Sequence, residues 1–123
     1  MHTKATIYEK NARTTANGRE LEAMVLLRAA LRMRQARDAL QQGNNTLLDE
    51  ALEHNKKLWI VLISELDDAE NPLPKEIRQN LISLGAFALK QTINITHEPK
   101  PEKIDILIQI NENIASGLNG RAE

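Results

Sequence analysis

The chain contains no cysteine. Disulfide staples, thiolate catalysis and cysteine-ligated metals are therefore excluded. Aromatics are almost as scarce, with one Trp, one Tyr and one Phe in 123 residues. A core without aromatics must be assembled from Leu, Ile, Ala and Met, which favours helix packing over a β-sandwich. Charge of either sign is not in surplus: 16 Lys and Arg stand against 17 Asp and Glu. A net charge of −1 supplies no bulk attraction to nucleic acid or to an anionic membrane. The first residues, Met1-His2-Thr3-Lys4-Ala5-Thr6-Ile7-Tyr8, lack the apolar stretch of a signal peptide. Apolar runs are only a few residues long, short of a membrane span. A cytoplasmic location is the expectation that follows.

What the chain does have is helical periodicity. Its length suits one domain, which is expected to span 1–123 and to form an all-α, compact bundle of four to five helices. Residues 1–17 are polar and predict a short helix or a flexible arm, broken at Asn17-Gly18. A long segment from about Arg19 to Gln42 places Val25, Ala29, Met33, Ala36 and Leu40 at helical spacing, and Gly43 is a natural stop. Thr46 is a possible cap for the next segment, which runs to about Asp67, with Asp49 in its first turn. There Leu48, Leu52, Asn55, Trp59, Leu62 and Leu66 alternate in steps of four and three. After an acidic loop, Pro74 opens a third segment carrying Ile77, Leu81, Leu84 and Ala88 inward. His97 to Pro101 form a stiff connector. Pro101 then starts a last helix with Ile104, Leu107, Ile108, Asn111, Ile114, Ala115 and Leu118 on one side.

Little in this pattern resembles catalytic chemistry. His2, His54 and His97 lack metal-ligand spacing. The acids Glu50, Glu53, Glu65, Asp67, Asp68 and Glu70, mixed with Lys56 and Lys57, fit a solvated face and single out no catalytic pair. There is no glycine-rich phosphate loop and no nucleophile elbow. The expectation is a binding protein, not an enzyme, and one without a cofactor. Arg19, Arg28, Arg32, Arg34 and Arg37 scatter around their helix and lack aromatic stacking partners, so direct nucleic-acid binding is not expected.

Three features bear on protein binding. Asn55 and Asn111 interrupt apolar stripes, as register-fixing buried amides or as donors to a partner's backbone. Gly85 inside a helix permits close approach, within the bundle or to a partner helix. The last helix is apolar around most of its circumference, because Ile106 and Ile110 project away from its main stripe. Either it is buried on nearly all sides, or one flank docks a partner.

The segments Asn55-Lys56-Lys57-Leu58-Trp59, Leu73-Pro74 with Ile77-Arg78, Leu81-Ile82-Ser83-Leu84-Gly85, and Ile108-Gln109-Ile110-Asn111 leading to Gly117-Leu118 resemble the FlaF family of flagellar biosynthesis regulators. The resemblance covers about residues 20–120, and Tyr8 fits the family's N-terminal helix. Ala86-Phe87 departs from it, since members often carry a Trp after the Leu-Gly pair. The resemblance implies a cytoplasmic protein that binds flagellin and supports its synthesis or secretion, often alongside FlbT. The alternative is a post-transcriptional regulator acting with FlbT or on flagellin mRNA. Flagellin ends are amphipathic helices that stay sticky until assembly, so a surplus apolar surface is what binding requires. The residues expected to form it are Ile106, Ile110, Asn111 and Ile114, with Gly85 and Arg78. Trp59, Asn55, Leu62, Leu81 and Leu84 are expected in the core.

Overall fold

In the computed structural model, residues 4–121 are described, with side chains over 18–120. Four helices form an all-α bundle: α1 (Lys4–Gln41), α2 (Thr46–Leu66), α3 (Lys75–His97) and α4 (Pro101–Arg121). No strand occurs among the described residues, and Ile93 to Thr96, which alternate like a strand in sequence, continue α3.

The expected break at Asn17-Gly18 does not occur, and α1 runs through it. One glycine costs a helix about 1 kcal/mol relative to alanine. The Ala-, Leu-, Arg- and Glu-rich residues that follow, packed along α4, are enough to carry the helix across. The side chain of Tyr8 lies outside the described residues.

The turns follow local chemistry. Gly43 adopts φ 84, its N–H donates to Leu40 O at 2.9 Å, and Asn44 N–H donates to Ala39 O at 2.9 Å. This is a Schellman turn, and it needs a residue without a Cβ penalty at the left-handed position. Thr46 does not cap α2. It is the first helical residue, and Asn44 Oδ1 accepts hydrogen bonds from its N–H at 3.0 Å and its hydroxyl at 2.8 Å. Pro74, extended at ψ 145, stands just before α3.

The core lies where α1, α2 and α4 meet, among Leu26, Met33, Leu52, Trp59, Ile104, Leu107 and Ile108. On α1 the buried face is rotated from the expected stripe: Leu26 is fully buried, while Val25 and Leu40 are half-buried. On α3 the difference is larger. Its buried residues are Gly85, Ala88, Thr92 and Ile95, and the expected Ile77, Leu81 and Leu84 are only half-buried. Gly85 explains this. A Cβ there would sit 2.8 Å from Trp59 Cε3 and 2.9 Å from Ile63, so α3 rests its small residues against α2. Its larger side chains then turn toward the gap in front of α4, which α3 meets only lightly.

Candidate functional site

The middle of the bundle is locked by a polar ladder. Trp59 Nε1 donates to Asn111 Oδ1 at 3.0 Å, and Asn111 Nδ2 donates to Asn55 Oδ1 at 2.7 Å and to Leu26 O at 3.2 Å. All three side chains are buried, so the ladder ties α2, α4 and the backbone of α1 into one register. Asn111 thus spends its amide inside the protein, and Gly85 likewise lies within the bundle. Arg78 is also engaged. Its guanidinium donates to Leu66 O at the end of α2 and to Asp68 O and Leu73 O in the connection to α3.

Below the ladder the bundle opens. Where α3 diverges from α4, Leu73, Ile77 and Leu81 face Asn113, Ile114, Gly117 and Leu118 across a groove of about 130 Å³. Its floor reaches Leu26, Trp59, Leu62 and Leu66. The same Leu73 and Leu118 border a wider concavity of about 490 Å³ that runs to Arg19, Leu21, Glu22 and the 68–72 loop. The half-buried state of Ile77, Leu81 and Ile114 is the mark of this opening. A groove with apolar walls and a polar rim can seat the side chains of a helix.

The polar rim is acidic. Glu22 is half-buried, and burial, reinforced by Glu65, pushes its carboxyl above the ordinary range against a smaller opposing effect of Arg19. Asp68 and Glu70 stand on the same rim. Away from the groove, two arginines of α1 pair with α4: Arg34 meets Glu112 at 2.6 Å and Arg37 meets Asp105 at 2.6 Å. The Asp105 carboxylate, and next Asp38, hold the Arg37 guanidinium above its usual value.

Of the expected flank on α4, Ile106 is exposed, whereas Ile110 is half-buried and packs on the core. Sequence reasoning missed a second apolar face. Leu21, Met24, Leu27 and Leu31 are each more than 40% exposed on the outer side of α1. Their spacing of three and four was visible but was masked by the inward stripe that interleaves with it. His54, whose buried Nδ1 has no hydrogen-bond partner among the described residues, is held below its ordinary pKa by burial and then by Arg32 and Arg28. No metal-holding cluster occurs among the described residues, and no described helix is long and apolar enough to cross a membrane.

A family model described as flagellar protein FlaF matches residues 4–118. No curated protein and no solved structure matches the chain.

Proposed function

The chain belongs to the FlaF family of flagellar proteins, and from that premise we propose that it binds flagellin and supports its synthesis or secretion. In this reading the protein acts in the cytoplasm by covering a helix, without catalysis. The observation that carries it is the open groove between α3 and α4, walled by Ile77, Leu81 and Ile114. An amphipathic flagellin end lays its apolar face into such a groove and is kept from associating prematurely. Ile106, although exposed, lies toward the start of α4 and outside the groove. The alternative, a post-transcriptional role on flagellin mRNA or through FlbT, has less support, because Arg34 and Arg37 are already paired with Glu112 and Asp105.

Calorimetric titration with purified flagellin monomer tests the proposal. One-to-one binding near micromolar, about −8 kcal/mol, is expected. Ile77→Asp should weaken it at least tenfold while leaving the helical signal intact, since this side chain lies at the mouth of the groove. A wild-type protein that gives no binding heat would refute the proposal.

A further inference from the structure

The open end gathers carboxylates around the mouth of the groove. Neither Glu22 nor Glu65 forms an ion pair with a described residue, whereas Glu112 and Asp105 on α4 each hold an arginine of α1. Glu22 borders both the groove floor and the wide concavity, so its carboxylate stands at the junction of apolar wall and acidic rim. Asp68 and Glu70 add charge on the loop side, and Arg19 is the described cation nearby. The carboxyl ends of α2 and α4 point to this end, opposed by the amino end of α3 just after Leu73. Arg78 answers part of that field at α2 but is held by three carbonyls. A half-buried carboxylate beside a second carboxylate is a cost to the free protein that an incoming cation removes.

We propose that the segment held in this groove is an amphipathic helix whose apolar face is flanked by lysine or arginine. Its apolar side chains enter between Ile77, Leu81 and Ile114, and its cation settles against Glu22 and Glu65. The apolar groove supplies affinity, and the acidic rim sets orientation and rejects helices with acidic flanks. The inference rests on the proposed function in taking the groove as the binding site, and it adds the chemistry of what enters.

The test uses the full chain and three probes: flagellin monomer, and two leucine-faced model helices about 18 residues long, one flanked by lysine and one by glutamate. Wild-type protein should bind the lysine-flanked helix at least tenfold more tightly than the glutamate-flanked one, and added salt should narrow the gap. Glu22→Gln with Glu65→Gln should weaken flagellin and the lysine-flanked helix about tenfold and flatten their salt dependence. The same double substitution should not lower Tm, which separates a binding role from a structural one. Flagellin binding that is indifferent to the double substitution would overturn this inference while leaving the proposed function standing. Preference for the lysine-flanked helix without flagellin binding would do the reverse. Failure to distinguish the two model helices would overturn the inference outright.

Discussion

The two ends of the bundle are built on different principles. At the end where α1 finishes and α4 begins, Met33, Ile104, Leu107 and Ile108 are sealed, and the ion pair of Arg37 with Asp105 lies across the seam. At the other end, Ile77, Leu81 and Ile114 remain half-buried around a groove, and Glu22 is set beside Glu65. The closed end gains its stability within the chain. The open end leaves apolar surface half-exposed and carries carboxylates that no described residue pairs, and the proposed basic-flanked helix would answer both. The ladder of Trp59, Asn111 and Asn55 divides the two.

The largest effect should come from the closed end. Leu107→Ala empties a fully buried site and should cost about 2–5 kcal/mol, a large part of the 5–15 kcal/mol typical of a domain. Leu81→Ala, in the open groove, should cost on the order of 1 kcal/mol because water already reaches it. Urea denaturation of both variants checks this, and equal losses would erase the distinction between the ends.

Next in size is the divider. Asn111→Leu strands the Trp59 N–H and the Asn55 carbonyl in the core and should cost about 2–3 kcal/mol. Chemical denaturation followed by Trp59 fluorescence reads it directly. Stability at or above wild type would mean that the ladder sets register without contributing stability.

The smallest effect has the opposite sign. The Glu22 carboxyl is raised by burial, so the folded protein holds its proton more tightly than the unfolded chain. Stability contributed by that proton is present at acid pH and is lost as pH rises through and above the ordinary carboxylate range. Glu22→Gln should therefore raise Tm by about 1–3 °C at neutral pH, with the gain vanishing near pH 3–4. A lower Tm at neutral pH would show that the carboxylate is structurally satisfied.

Sequence periodicity revealed the closed part of the fold better than the open part. Most of the buried face of α2, from Leu48 to Leu66, is legible as steps of three and four, with Ala51 left out, and so is the α4 face from Ile104 to Leu118, where Ile114 is only half-buried. These helices have one dominant stripe each. Helix α3 misled because periodicity ranks side chains by size, whereas Gly85 lets a small-residue face approach Trp59 and turns Ile77 and Leu81 outward. The continuity of α1 through Gly18 was hidden for a similar reason, since local propensity carries no information about packing along α4. Of the site residues, Ile106 and Ile114 lie on accessible surface, while Asn111, Gly85 and Arg78 are engaged inside the protein. The acidic rim could not be read, because Glu22, Glu65 and Glu70 come together only through the fold.

Hydrogen exchange of the full chain with and without flagellin monomer tests most directly whether the open end is the binding end. Added protection is expected over 18–26, 62–81 and 110–118, with exchange over 33–40 and 101–108 unchanged. Protection concentrated at the closed end, or along the outer face of α1 at Met24 and Leu31 alone, would contradict it.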